Sequence, residues 1–445
     1  MADNEHQIIF KPKPAEPPPP ATVGVIGWLR ENLFYSWFST VVTFFCLWII
    51  YSLLAIAFDW GFTKAVWDAQ TRRECLDKSP DGACWAGVKV WFSSFIYGRY
   101  PVEERWRINT AFLVIVAWLI PLWLKQVKQK ISIGITAVLV FPFLAAYLFT
   151  GGERSWFSTF MVTLAISVFV LNWIHVVFCI TTTKSLREVL VNKLNLAGHH
   201  ESTHKYPVLG FLALLMVIIW FTVLSSWVPQ YVGTDKWGGL FLTLVIAGVG
   251  IVFALPGGVI LALARRSQMP FIRVMAIAFI ELFRSVPLIT VLFMAVTMFP
   301  LFLPEGTTLD KLVQAMVGVC LFAAAYMAEV VRGGLQAIPR GQYEAAAAMG
   351  LSYWKMMNLI ILPQALKLMI PNIVGNFIGL LKDTTLVSII GLYDLLRMLN
   401  ATGNHPKWIG MHTETLAFGA VIYFVLCFCM SQYSQHLERK LRTGH

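Results

Sequence analysis

Charge is what this sequence most lacks: Asp, Glu, Lys and Arg make up 13% of its 445 residues, against about 25% in a typical soluble chain. With 57% hydrophobic residues, 17 Trp, 32 Phe and a mean hydropathy of +0.66, that deficit excludes an ordinary soluble globular protein. Acid is the scarcer sign, 24 residues against 35 basic ones, for a net charge of +11. No soluble basic domain or base-reading motif accompanies the excess, so no nucleic acid partner is expected. No GxxxxGK[ST] loop occurs, which excludes ATP hydrolysis by this chain alone. Ser-His-Asp and paired-carboxylate constellations are also missing, and no enzyme chemistry of its own is expected. His199, His200 and His204 share a polar loop with no matching Cys or His cluster, so neither a metal nor another cofactor is expected on this chain. The N-terminus has no apolar run followed by a small-residue cleavage site. Its proline-rich start, including Pro17 to Pro20, predicts a disordered cytoplasmic tail over 1–36.

What is abundant is long apolar sequence. Crossing a roughly 30 Å hydrocarbon core takes about 20 residues, and hydropathy predicts spans at 37–58, 108–124, 131–150, 157–180, 207–228, 239–264, 271–300, 312–332, 372–393 and 414–435. Lys125, Lys128 and Lys130, then Lys184, Arg187, Lys193 and Lys205, then Arg265 and Arg266, then Arg439, Lys440 and Arg442 all fall on one face if the N-terminus is inside. Such loops mark the cytoplasmic side, which places both termini there. The opposite face carries loops 59–107, 151–156, 229–238, 301–311 and 394–413. The first of these holds Cys75 and Cys84 around a turn-like Pro80-Asp81-Gly82. An oxidising exterior favours a disulfide between them; the alternative is two unpaired thiols. Cys46, Cys179, Cys320, Cys427 and Cys429 sit in apolar spans as small packing residues.

The most informative segment is polar and lies between two spans: Glu344-Ala345-Ala346-Ala347-Ala348-Met349-Gly350, then after nine residues Ile360-Ile361-Leu362-Pro363. Its alanines favour a stiff helix that a partner's groove can approach closely. Gly350 permits a sharp reversal, Glu344 can cap the helix or pair with a base, and Pro363 ends or redirects the segment after it. The spacing resembles the cytoplasmic coupling loop of ABC importer permeases. From residue 235 onward further motifs occur in order: Gly239 to Leu244, Leu261 to Ser267, Glu281 to Leu288, Ala325 to Gly334 and Leu381 to Leu386. Together they look like the permease core of the polar amino acid ABC importers. The long extension before it, with Tyr97-Gly98-Arg99-Tyr100-Pro101, looks like one permease of the general L-amino acid transporters.

That resemblance implies an all-α polytopic membrane protein of about ten spans. An extension over 37–234 with about five helices would precede a five-helix type I ABC importer permease core over 235–445. The coupling loop would occupy about 334–371, with Glu344, Ala345, Ala346, Gly350, Ile360, Leu362 and Pro363 as its motif residues. It implies as partners two cytoplasmic ATPase subunits that hold the ATP and Mg, a periplasmic binding protein, a second homologous permease and the lipid of a bacterial inner membrane. The substrate would be an L-amino acid of polar, broad, or acidic and amide range, moved inward by alternating access. An ion-coupled secondary transporter is the alternative, although no inverted halves are apparent.

Ionisable groups inside spans are costly and mark functional candidates. Glu281 and Arg284 are three apart on one helical face and predict a pair, with Ser285 beside them and Pro287 expected to break the helix. Arg284 suits a substrate carboxylate and Glu329 its ammonium. The alternative is that Glu281–Arg284 and Glu329–Arg332 merely neutralise each other. Lys382 and Asp383 are adjacent and so face apart, followed by Thr384 and Thr385, whose hydroxyls can bond back to the helix. Pro256-Gly257-Gly258 predicts a close-packing point between spans.

Overall fold

A computed structural model describes residues 24–441, apart from 125–126, 128–129, 153–154, 182–217, 220–221, 223–227, 305 and 307–308. The described residues are helical apart from one two-residue strand and loops, and the chain divides into two compact units, one ending at Gly87 and one starting at Val88.

In the first unit α1 (Gly24–Asn32) precedes α2 (Trp37–Phe58). The helix at 24–32 shortens the disordered tail expected through residue 36, and the remainder of that expectation, 1–23, lies outside the described residues. Ser36 caps α2 by accepting the Ser39 N–H at 3.1 Å. No residue of α2 is buried, which suits an apolar helix whose solvent is hydrocarbon. Beyond it, α3 (Arg72–Lys78) is tied to the following turn by a disulfide between Cys75 and Cys84, Cα atoms 5.8 Å apart. Cys320 is buried, whereas Cys46 and Cys429 are exposed, so the packing role expected of the apolar-span cysteines fits Cys320 alone of these three.

The chain then runs through α4 (Trp85–Tyr97), α5 (Arg105–Trp123), α6 (Lys130–Thr150), α7 (Trp156–Thr181), α8 (Gly239–Arg265), α9 (Pro270–Ser285), α10 (Leu288–Phe293), α11 (Lys311–Ala337), α12 (Arg340–Ala348), α13 (Tyr353–Met356), α14 (Leu362–Leu368), α15 (Ile370–Asp383), β1 (Tyr393–Asp394), α16 (Leu395–Gly403) and α17 (His412–Leu441). Among the described residues, seven unbroken helices are long and apolar enough to cross a membrane, and two bent pairs raise the number to nine. The predicted span 207–228 lies almost wholly outside the described residues, as do His199, His200, His204 and the basic residues at 125, 128, 184, 187, 193, 205 and 442.

The first bent pair carries the break expected at Pro287, and the second corrects the bounds of a span. The span expected at 271–300 turns by 105° between α9 and α10, because Pro287 cannot donate to the preceding turn. The span expected at 372–393 belongs to a longer helical run that starts at Tyr353, bends by 64° at Met369 and ends at Ser388.

The core of the second unit is the α8–α11 contact. A Cβ on Gly258 would lie 2.9 Å from the Ala328 backbone nitrogen and 2.7 Å from the Met327 Cβ, so glycine alone lets the two backbones approach. Pro256 is carried inside α8 without ending it.

Candidate functional site

The coupling segment is a helix, a reversal and a return. α12 ends at Ala348 with Met349 as its cap, and Gly350 turns the chain at φ +71°. Nothing lies within 4 Å of a Cβ placed there, so the left-handed backbone and not crowding selects glycine. Ala346, Met357, Ile361 and Ala365 are buried, and α12 packs on the Met357–Ile361 turn. Ile360 and Leu362 pack on the core from partly buried positions. Glu344, Ala345, Ala347, Ala348 and Gly350 are exposed. Among the described residues Glu344 forms no ion pair, and in the middle of α12 it caps neither end, so neither the capping nor the pairing open to it from sequence is seen. Pro363 neither ends nor redirects the segment. The wide turn Met357–Ile361 precedes it, and it enters at the start of α14, where a missing N–H loses little.

Deeper in the same unit lie two adjoining cavities, the larger bordered by α8, α11 and the length of α15, the smaller by α9, α11 and the start of α15. One of about 540 Å³ is lined by Phe322, Tyr326, Asn372, Asn376 and Asp383 among others. The second, about 310 Å³, shares Tyr326, Asn372 and Asn376 and adds Arg284 and Glu329. Asn372 and Asn376 are one helical turn apart and Asp383 comes two turns later, giving α15 a polar stripe along the larger cavity.

Glu329 is the hub of the charges beside the smaller cavity. Its Oε1 accepts from Arg265 at 2.8 Å, and its Oε2 lies 2.6 Å from Arg332 and 3.7 Å from Arg284. Glu281 pairs with Arg265 at 3.0 Å. The expected Glu281–Arg284 pair is therefore not formed, because α8 brings Arg265 between the two carboxylates while Arg284 turns to α11 and stacks 5.7 Å from the Tyr326 ring. The Glu329–Arg332 pair is present. With both oxygens of Glu329 engaged by guanidinium groups, the ammonium-binding role expected of it loses its free acceptor. Three arginines against two glutamates leave the cluster with one excess positive charge, and Arg284 is the arginine held most loosely.

The other predicted residues separate. Ser285 donates to the Glu281 carbonyl at 2.6 Å, at the break before Pro287. Thr384, buried, donates to the Leu381 carbonyl at 2.7 Å, and Thr385 to that of Lys382 at 2.8 Å. Asp383 lines the larger cavity, whereas its neighbour Lys382 is exposed on another face. Sequence reading missed Arg265, taken only as a topology cation, and the neutral lining residues Tyr326, Asn372 and Asn376. Two amides at i and i+4 in an apolar helix were the available signal.

Comparison with known proteins supplies four findings. Residues 254–443 match the family model of the binding-protein-dependent transport system inner membrane component. The inner membrane amino-acid ABC transporter permease protein YhdY of Escherichia coli (strain K12) is 40% identical over 433 residues, covering 97% of each chain. The glutamate/glutamine/aspartate/asparagine transport system permease protein BztC of Rhodobacter capsulatus is 37% identical over 456 residues, covering 98% of each. A shorter relative, the glutamate/aspartate import permease protein GltK of Escherichia coli O6:H1, is 36% identical over 207 residues, which is 91% of its length and 45% of this chain.

Proposed function

The chain belongs to the family of amino acid ABC transporter permeases, and from that premise we propose that it forms the membrane path of an importer for polar, chiefly acidic and amide, L-amino acids. Its relatives along the whole length are ABC permeases, which sets aside ion-coupled secondary transport. The family requires a separate ATPase and a substrate-binding protein as partners. In our reading, two ATPase subunits hold ATP and Mg, this chain hydrolyses none, and a second, homologous permease completes the path. Both termini face the cytoplasm.

The observation that carries the proposal is the exposed elbow Glu344–Gly350, fixed to the core through Ala346 and presenting outward a row of methyl-sized side chains and a carboxylate that forms no ion pair among the described residues. Such a surface offers a rigid purchase for a motor's groove. Closure of the motor on ATP would move α12 as a body and shift the spans between outward-open and inward-open arrangements. Substrate passes along the α15 stripe. Asn372 and Asp383 are eleven residues apart, roughly 16 Å along a helix, too far to hold the two ends of one α-amino acid. Arg284 beside Asn372 and Asn376 therefore serves as a station for the carboxylate, and Asp383 as a separate station for the ammonium.

The test is reconstitution in vesicles with the partner permease, ATPase and binding protein. Uptake that persists with the ATPase omitted sinks the proposal. Glu344→Ala should retain ATP hydrolysis while lowering uptake per ATP about tenfold, within the range of site-to-site couplings.

A further inference from the structure

Two consecutive arginines at the end of α8 hold two different layers of the molecule. Arg265 reaches Glu329 and Glu281 in the charge cluster, at 2.8 and 3.0 Å. Arg266, the C-cap residue of α8, donates to the Tyr343 hydroxyl at 3.0 Å, and its guanidinium lies 5.5 Å from the ring centroid. The same hydroxyl donates to the Leu335 carbonyl in the last turns of α11 at 3.1 Å. Tyr343 stands immediately before Glu344 in α12. A single oxygen thus joins the coupling helix to the ends of α8 and α11, the two helices that Arg265–Glu329 ties together one layer deeper. Leu335 lies six residues after Glu329, about 9 Å along the helix.

Stability alone does not account for this arrangement. Arg266 is exposed, and exposed polar contacts contribute little to folding. What the contact does is place a load from α12 on residue 266, whose peptide neighbour carries the Glu329 partner. We infer that Tyr343 is a positioning residue: through Arg266 it sets whether Arg265 stays on Glu329, so movement of α12 is read out as making or breaking the α8–α11 contact beside the cavity. This rests on the permease reading above and names the joint within it.

The experiment uses the complete reconstituted transporter and measures ATP hydrolysed per amino acid imported. Tyr343→Phe keeps the ring and removes the hydroxyl; Arg266→Ala removes the donor, and Arg266→Lys keeps a charged donor. The expected result is a ratio raised about tenfold in Tyr343→Phe and Arg266→Ala and restored to within about twofold of wild type in Arg266→Lys. Because both changes break one contact, the double variant should be no worse than either single one. An unchanged ratio overturns the inference, as do additive effects in the double variant. Loss of the ATPase on purification of Tyr343→Phe also overturns it, since Tyr343 would then grip the motor directly. Should Tyr343→Phe fail to accumulate in the membrane, the Arg266→Ala and Arg266→Lys pair decides the matter alone. Wild-type uptake without ATPase would instead overturn the permease reading, a failure visible before any variant is made.

Discussion

Two arginine clusters in the second unit are built in opposite ways. Arg107, at the start of α5, is fully buried and held largely by groups that cannot move independently. It donates to the Gln230 carbonyl at 3.0 Å and to the Tyr100 hydroxyl at 2.9 Å, and Tyr100 donates on to the Phe149 carbonyl at 2.9 Å. Its Nε lies 3.1 Å from Glu104, near enough for an ion pair though not aligned as a hydrogen bond. The Glu329 cluster is only partly buried, has more cations than anions, and takes its arginines from three helices, α8, α9 and α11. A fully buried guanidinium tied to one backbone carbonyl and to a hydroxyl that is itself anchored on another has one arrangement, whereas a carboxylate shared among arginines on separate helices has several of similar energy. The first is a brace within the extension, joining the start of α5 to the end of α6 and to the segment at Gln230. The second is suited to switching.

The strongest way to break this contrast is Arg107→Ala. It strips the Gln230 carbonyl and Tyr100 hydroxyl of their donor and leaves Glu104 facing a void, a change of about 3–5 kcal/mol in buried ion-pair systems. The expected outcome is a large loss of folded protein, seen as a lowered unfolding temperature in detergent and poor accumulation in membranes. Full retention of stability would show that the cluster braces nothing.

Glu329→Gln should have a smaller effect on stability and a larger one on regulation. The side chains around it are partly solvated, 13% exposed for Glu329 and 23–35% for its arginines, so the stability change should be about 1 kcal/mol. Binding-protein-independent ATP hydrolysis by the complete transporter should rise severalfold as the α8–α11 contact loosens. A destabilisation as large as that of Arg107→Ala, with regulated hydrolysis intact, would erase the distinction between brace and switch.

Much of this was legible in local sequence. The alanine run and Gly350 predict the elbow because both act through the backbone of their own segment, and Pro287 predicts a break for the same reason. Pro363 misleads because its effect depends on the wide turn just before it, which opens the space that its ring would otherwise crowd. Arg265 was invisible as a site residue because Glu329 is 64 positions away, and the i,i+3 rule that suggested Glu281–Arg284 knows nothing of a third helix. The amides of Asn372 and Asn376 give a weaker sequence signal than a charge, because a neutral amide costs less to bury in a span.

Asp394 sharpens the comparison, since it is a buried charge with backbone partners and, among the described residues, no ion pair. It caps α16, accepting the Leu396 and Arg397 N–H groups at 3.1 Å each. Burial pushes its carboxyl up to about 6, against the downward pull of those donors and of the Arg397 charge. A carboxyl raised above its unfolded value near 3.8 contributes stability that is complete below that value and is lost as pH rises through about 6. Asp394→Asn keeps an acceptor at the cap and removes the titration. Its stability at pH 7 should stay within about 1 kcal/mol of wild type, and its unfolding temperature should vary less between pH 4 and pH 6. If the backbone partners are what matter, the neutral cap suffices. A loss approaching that of Arg107→Ala would mean that the negative charge itself is held in place, and Asp394 would then belong with the brace.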